Sequence, residues 1–419
     1  MRITILSIGS LGDVQPFLAL AICLQEAGHT VRLAVSPNHK AYVERRGVKF
    51  FPLGRDNQEI LDQEKTRAMI EFGKRFSFIA YRIREKQRIF YQINLQAYQA
   101  CQDADLIIHR ISDYLAAFSI AQKKGVPCIE VGLGPLVRTH SIPSMYFYGW
   151  PNFGEQVNWS THLFAEQALW QIFHRSTNEF REKTLGLPPL PFGGPERLKR
   201  QSGVPVLHAF SPSVLSKPAD WPEWAHITGY WFLDQERNWQ PPAELVGFLE
   251  AGPAPVYIGF GSMPSRNPEH TLALLFRALE LSGNRAILSA GILGTQYHPK
   301  PTDQHFFLDY APHDWLFPRM SAVVHHGGAG TTGASIRAGT PTIVIPHNYD
   351  QPFWGQLVAR LGIGPQPVPR KHLNPENLAQ AIQKAVSDQR IVQNAQSLAR
   401  KVQNEDGVGR AMEIMFGDR

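Results

Sequence analysis

The chain is poor in cysteine: Cys23, Cys101 and Cys128 are the only three in 419 residues. An odd, scattered set without metal-ligand spacing argues against a disulfide framework and a cysteine-built zinc site, and it is the usage expected in a reducing cytoplasm. No apolar run approaches the ~18 residues that a spanning helix needs, so no membrane crossing is expected. The opening Met1-Arg-Ile-Thr-Ile-Leu-Ser-Ile breaks at Gly9-Ser-Leu-Gly-Asp, too early for a secretory signal, and reads as a first strand. Charged residues make up only 19% of the chain and hydrophobic ones 43%, the balance of a folded protein rather than a disordered one. The net charge of +6 and the pI near 9.2 would suit an anionic partner, or simply a basic, solubilising surface. No nucleic-acid partner is expected.

What is present is a twofold alternation of strands and helices in a chain too long for one ordinary core. Arg2 to Ile8 reads as a strand, Gly9 to Asp13 as a loop, Val14 to Ala27 as a helix ended by Gly28, and Thr30 to Val35 as a second strand. That order is a βαβ unit, which makes the sheet parallel and the helix N-terminus an anion site. Val48 to Pro52, Leu106 to His109 and Pro127 to Val131 continue it. Prolines and tryptophans crowd between Pro205 and Pro255, where the interdomain connection is placed. A second series follows, with strands at Val256 to Phe260, Ala286 to Ser289, Ser321 to His325 and Thr342 to Ile345. Helices are expected at Thr271 to Leu281, Thr331 to Ala338 and Phe353 to Leu361. The expected architecture is α/β, two Rossmann-like domains facing across a cleft: residues 1–225, residues 241–400, and a C-terminal helix within 401–419 packing back on the first domain.

The densest chemical feature is Val324-His-His-Gly-Gly-Ala-Gly-Thr-Thr-Gly-Ala, which follows an apolar strand and opens a helix. Glycines let backbone N–H groups approach an anion, Thr331 and Thr332 add hydroxyls, and the helix dipole favours negative charge, so a diphosphate is the expected ligand. Gly328-Ala-Gly-Thr-Thr-Gly333 also fits a dinucleotide fingerprint, with Asp350 at about the distance of a ribose-binding acid; an NAD-dependent dehydrogenase is therefore a rival. Against it stand the motif's place deep in the second half and His326 beside the glycines, an imidazole suited to a departing diphosphate. An inactive sugar-nucleotide binding protein is the other alternative.

Pro312-His-Asp-Trp-Leu-Phe-Pro-Arg, His325-His-Gly-Gly-Ala-Gly-Thr-Thr-Gly-Ala-Ser, Arg337-Ala-Gly-Thr-Pro and Asp350-Gln351 resemble the donor signature of family 1 glycosyltransferases, and Gly9-Ser-Leu-Gly-Asp-Val-Gln-Pro resembles their acceptor-side motif. The branch it is most similar to comprises the sterol glucosyltransferases and the bacterial macrolide and glycopeptide glycosyltransferases. The resemblance implies the GT-B fold and an inverting transfer from a nucleotide-sugar donor, UDP-glucose, to a hydroxyl of an apolar small-molecule acceptor such as a sterol, terpenoid or polyphenol. It makes Asp13 the base and sets His326, Gly328, Ala329, Gly330, Thr331 and Thr332 around the diphosphate, with Ser10 and Ser262 as further contacts. Asp350 and Gln351 would hold sugar hydroxyls, and the stretch from Tyr310 through Ala311 and His313 to Trp315 would line the nucleobase.

The pattern departs from relatives in three places. Leu11 stands where they usually carry arginine, His109-Arg110 occupies the place of a base-orienting aspartate, and the donor-ribose glutamate is replaced near Ala334. No cofactor and no metal are expected, since the diphosphate has amide, hydroxyl and imidazole partners and no Asp-x-Asp pair is read as a metal motif. The competing physical reading of Asp13, as a helix cap only, is the weaker of the two. Lys74 to Phe90 mixes Lys and Arg with aromatic and branched residues at near-helical spacing. By its pattern the stretch fits a helix packed on the first domain better than one lying on an anionic bilayer; the resemblance to the sterol-glucosylating branch implies the second, and with it peripheral membrane association.

Overall fold

The computed structural model describes residues 1–54, 90–111, 116–147, 154–234, 239–261, 267–292 and 302–417. Of these, the residues up to Leu233 and from Glu405 onward form one compact unit, and Asp234 to Asn404 a second.

The first unit is built on seven strands: β1 (Arg2–Leu6), β2 (Thr30–Val35), β3 (Lys49–Pro52), β4 (Leu106–Arg110), β5 (Cys128–Gly132), β6 (Val206–His208) and β7 (Ala225–Ile227). They lie in the order β3-β2-β1-β4-β5-β6-β7, every pair parallel. Both faces are covered, so the strands read as near-continuous apolar runs. Ile3, Ile5, Leu106 and Ile108 join one core with Phe17 and Leu18 of helix α1 (Leu11–Glu26), whereas Leu6 and Ile107 point into the other.

The proline- and tryptophan-rich stretch is not a linker throughout, because β6 and β7 lie inside it. Trp221 stacks on His208 at 4.4 Å and donates its indole N–H to the Val137 carbonyl. Trp231 sets its edge against Phe17 and donates to Thr228. These aromatics close the end of the sheet, and the prolines and tryptophans around β6 and β7 hide the two short strands in the sequence. The unit therefore ends at Leu233, beyond residue 225. The C-terminal helix spans Gly407–Phe416, not the whole of 401–419, and it lies in the first unit. Val408 and Ala411 enter the Phe17 core, Phe416 stacks on His29, and Glu405 accepts the Ser211 hydroxyl.

The second unit holds β8 (Val256–Gly259), β9 (Ala286–Ser289), β10 (His305–Leu308), β11 (Ala322–His325) and β12 (Thr342–Val344) in the parallel order β10-β9-β8-β11-β12. Strand β10, absent from the sequence reading, is an edge strand that turns Phe306 and Leu308 to one core and Phe307 to the other. Helix α2 (Ala329–Ala338) begins two residues before the expected Thr331, since the glycine-rich run forms its first turn. Helix α3 (Gln351–Arg360) opens at Gln351 behind Asp350. In each sheet the strand order reverses about one pair, β1 with β4 and β8 with β11, and the loops leaving such a pair are where open α/β sheets bind ligands.

Candidate functional site

In the first unit, β1 runs through Ser7-Ile8-Gly9 into α1. Ser10 is the N-cap and Asp13 the third helical residue. The Asp13 carboxylate turns back on the cap: Oδ2 accepts the Ser10 backbone N–H at 2.8 Å and the Ser10 hydroxyl at 2.9 Å. A side chain at Gly9 would collide with that carboxylate, which accounts for glycine there. Oδ1 meets Arg110 Nη1 at 2.8 Å. Arg110 ends β4 and also donates to the Ile8 carbonyl at 3.0 Å, so one guanidinium ties both strands of the switch point to Asp13. His39 donates from Nε2 to the Gly9 carbonyl at 3.1 Å. A carboxylate offers about four lone-pair sites. Ser10 fills two on Oδ2 and Arg110 one on Oδ1, which leaves Oδ1 able to accept one further proton donor.

The cap reading and the base reading of Asp13 are thus compatible, for one oxygen caps while the other is presented. Ser10 commits its hydroxyl proton to Asp13 and does not stand free for a phosphate. Leu11 is half-buried at the first helical position, and the cation beside this turn is Arg110, which arrives from β4.

Behind Arg110 lies a buried ionic cluster. His109 and Glu130, neighbours across β4 and β5, have Nε2 and Oε1 3.7 Å apart. Glu130 also takes Lys199 at 2.6 Å and Arg200 at 2.8 Å, both of which bind Glu196. Burial alone would raise the Glu130 carboxyl, but Lys199, His109 and Arg200 outweigh it and hold it down at about 2. None of these residues was anticipated as a group; lysine and glutamate 69 positions apart leave no local signal.

In the second unit, β11 delivers His325-His326-Gly327-Gly328 to α2. Gly327 adopts φ +90°, and a side chain on it would strike Val344 and the Gln351 backbone. A Cβ on Gly328 would lie 2.6 Å from His326 Nε2, and one on Gly261, just beyond β8, 2.9 Å from the same ring. The His326 imidazole is therefore seated between two glycine backbones. His325 Nδ1 accepts the Gly327 N–H at 3.0 Å, and burial, with the neighbouring His326 and His313, holds its imidazole well below the usual histidine range. Helix α2 has no side-chain cap and no acid in its first turn, so the amides of Ala329, Gly330 and Thr331 keep their donors. Thr331 is half-buried at this end. Thr332, however, is buried and donates its hydroxyl to the Gly328 carbonyl, which removes it as a donor to a phosphate.

Asp350 accepts the Trp354 indole N–H at 2.8 Å. The Gln351 carbonyl oxygen accepts the backbone N–H groups of His347 and Asn348 at 2.7 and 3.0 Å, so this side chain braces the turn from within. Ala311 is buried, and His313 stacks on Phe317 at 4.2 Å with its pKa lowered by burial to about 4. Trp315, half-buried, carries the Arg319 guanidinium over its ring at 4.3 Å and meets Trp239 edge-on. Ser262 and the segment 74–89 lie outside the described residues.

One Asp-x-Asp triplet does occur, Asp103-Ala104-Asp105, and its carboxylates are used. Asp103 pairs with Arg32 and Asp105 with Arg2, just before β4 and at the opposite end of that strand from Arg110.

Residues 3–109 match the glycosyltransferase family 28 N-terminal domain, and residues 303–407 match the C-terminal domain of the erythromycin biosynthesis protein CIII-like family. Over its whole length the chain is 34% identical to a sterol 3-beta-glucosyltransferase of Cryptococcus neoformans and covers 27% of that protein. With the corresponding enzyme of Arabidopsis thaliana the identity is 34% over 99% of the chain and 65% of the relative. The chain thus spans less than two thirds of the length of these relatives. Among solved structures, the kitacinnamycin glycosyltransferase superposes with TM-score 0.68 at 18% identity, covering 99% of this chain and 97% of the other. The glycosyltransferase VinC, solved with dTDP, superposes with TM-score 0.66 at 16% identity, covering 99% and 98%.

Proposed function

We propose that the chain, whose residues 3–109 match a family 28 glycosyltransferase N-terminal domain and residues 303–407 an EryCIII-like C-terminal domain on a GT-B fold, is a glycosyltransferase that transfers glucose from UDP-glucose to a hydroxyl of an apolar alcohol such as a sterol. The observation that carries the reading is Asp13, whose carboxylate is oriented by Ser10 and Arg110 and keeps accepting capacity on Oδ1.

The acceptor oxygen attacks the anomeric carbon, the bond from that carbon to the diphosphate oxygen breaks, and UDP leaves with the electron pair. The acceptor's proton passes to Asp13, and the configuration inverts. A carboxylate also stabilises the oxocarbenium-like transition state. Charge developing on the diphosphate is met by the open amides of α2, the Thr331 hydroxyl and His326, donors that are in place before the reaction. Asp350 holds a sugar hydroxyl. No step calls for a metal or a redox cofactor.

Mass spectrometry of products from UDP-glucose, UDP-galactose and dTDP-glucose, each with a sterol, a terpenoid alcohol and a polyphenol, tests the proposal. A glycosylated sterol with release of UDP is the expected result. Products on free sugars alone would overturn the acceptor, and stabilisation by NAD in place of UDP would favour the dehydrogenase reading of Gly328, Gly330 and Gly333. Among the described residues no helix is long and apolar enough to cross a membrane. We propose that a lipid-dissolved acceptor is reached by peripheral, salt-sensitive attachment through the basic stretch 74–90. Charge reversal at Arg82, Arg84 and Arg88 should reduce co-sedimentation with anionic vesicles and leave UDP affinity intact.

A further inference from the structure

The turn between β12 and α3 holds a side chain that the scheme above does not use. His347 is 5% exposed, and neither Nδ1 nor Nε2 has a hydrogen-bond partner. A buried, unmet polar group costs about 1–3 kcal/mol, so the presence of two such nitrogens on one ring needs a cause. The backbone around it is well fixed. Gln351 accepts the N–H groups of His347 and Asn348, Arg370 donates its backbone N–H to the Pro346 carbonyl, and Tyr349 sits at φ 55°, a conformation that a bulky residue adopts only when its surroundings impose it. The His347 ring lies 5.5 Å from that of Phe260, at the end of β8 and one residue before the glycine that seats His326. The same turn continues directly into Asp350.

We infer that His347 is a binding residue for the sugar of the nucleotide donor, one of its ring nitrogens meeting a hexose hydroxyl. Three observations converge on that ligand class. The position is the carboxyl end of the second sheet, beside the glycine turn and one turn from Asp350. The imidazole is neutral: burial, with Arg370 and His326 nearby, holds its pKa well below the usual range. And a neutral imidazole presents one donor nitrogen and one acceptor nitrogen, either of which can pair with a hydroxyl, whereas an anionic phosphate would call for donors only. The inference rests on the sugar-transfer reading and deepens it by separating sugar recognition at His347 from diphosphate recognition at α2.

The test is calorimetric titration of the wild-type chain and of His347→Phe with UDP and with UDP-glucose, together with thermal unfolding of both proteins without ligand. Phenylalanine keeps a flat ring against Phe260 and removes both nitrogens. The expected outcome is UDP affinity unchanged within about twofold, UDP-glucose affinity weakened about ten- to a hundredfold, and a melting temperature equal to or above that of the wild type. Such a pattern marks a polar group held unmet for a ligand. His347→Asn, which keeps a donor and an acceptor, should recover part of the loss and serves also if the phenylalanine variant fails to fold. Equal loss for UDP and UDP-glucose, or no loss for either, overturns the inference while leaving the transferase reading intact. A wild-type chain that binds neither nucleotide overturns both.

Discussion

Two turns of this molecule share one backbone plan and differ in who supplies the negative charge. Each leaves the carboxyl end of a strand at a switch point, passes glycines, and opens a helix. In the first, the third residue of α1 is Asp13, which turns its carboxylate onto the cap and is gripped by Arg110. In the second, the third residue of α2 is Thr331, the cap is Gly328, and the first turn carries no acid. A helix N-terminus attracts an anion in either case. The first carries its own carboxylate, the proposed base; the second carries none, and its open donors are the proposed site for an anion from outside. One residue at one helical position separates the two roles.

The comparison is broken most severely by Asp13→Asn, which keeps the size and polar character of the cap and removes the charge. Turnover should fall by about two to four orders of magnitude with UDP affinity unchanged, as expected for loss of a general base. Steady-state kinetics beside calorimetry decides it, and near-normal turnover would return Asp13 to a capping role alone.

The first turn also differs in what stands behind it: the cluster of His109, Glu130, Glu196, Lys199 and Arg200. Replacing one partner of a buried ion pair leaves the others uncompensated, so Lys199→Met should lower stability by about 3–5 kcal/mol, seen as a reduced urea midpoint. The pH dependence has a definite sign. Against burial, Lys199, His109 and Arg200 hold the Glu130 carboxyl below its unfolded range in the folded protein. Its stabilisation is present above the unfolded value and is lost as pH falls from there through the lowered folded value. The wild type should show that acid loss, and Glu130→Gln should flatten it.

Giving the second turn the first turn's chemistry is the sharpest exchange. Thr331→Asp places a carboxylate at the third position of α2, where it can occupy the cap amides. UDP affinity should drop by about a hundredfold or more through repulsion at short range. The helix itself should gain about 0.3–1 kcal/mol from an acid in its first turn. Weaker UDP binding with a higher melting temperature is the paired result expected; unchanged UDP affinity would remove α2 as the anion site.

Much of this contrast was legible before the structure. Alternation located Thr30 to Val35 and Ala286 to Ser289 to the residue, and the glycine-rich runs marked both turns. The roles of their side chains were less legible, because a hydroxyl's partner is set by tertiary geometry. Ser10 serves Asp13, Thr332 serves Gly328, and Gln351 braces its own turn. Strands β6 and β7 lie within the proline- and tryptophan-rich stretch, whose texture masked them, and β10 is a half-exposed edge strand without a continuous buried run. Arg110 was noticed only as a substitution, and its contact with Asp13 spans 97 positions of sequence that no local pattern encodes.

The smallest effect is expected at the far end of β4, where the Asp-x-Asp triplet precedes the strand whose last residue grips Asp13. Five residue steps at ~3.3 Å separate Asp105 from Arg110 by roughly 16 Å, so the pair cannot share an ion with Asp13. Asp105 is held at about 2 by Arg2, first through the side-chain hydrogen bond and then through the backbone N–H, and Asp103 is lowered by Arg32. Both are committed to guanidinium groups at a solvent-facing edge. Exposed ion pairs contribute little to stability, so Asp105→Asn should shift the melting temperature only slightly and leave turnover unchanged. Transfer assayed in excess EDTA should equal that in magnesium, for both the wild type and the variant. Activity abolished by EDTA and restored by magnesium would place a metal in the reaction, and the same result lost in Asp105→Asn would place it at this triplet.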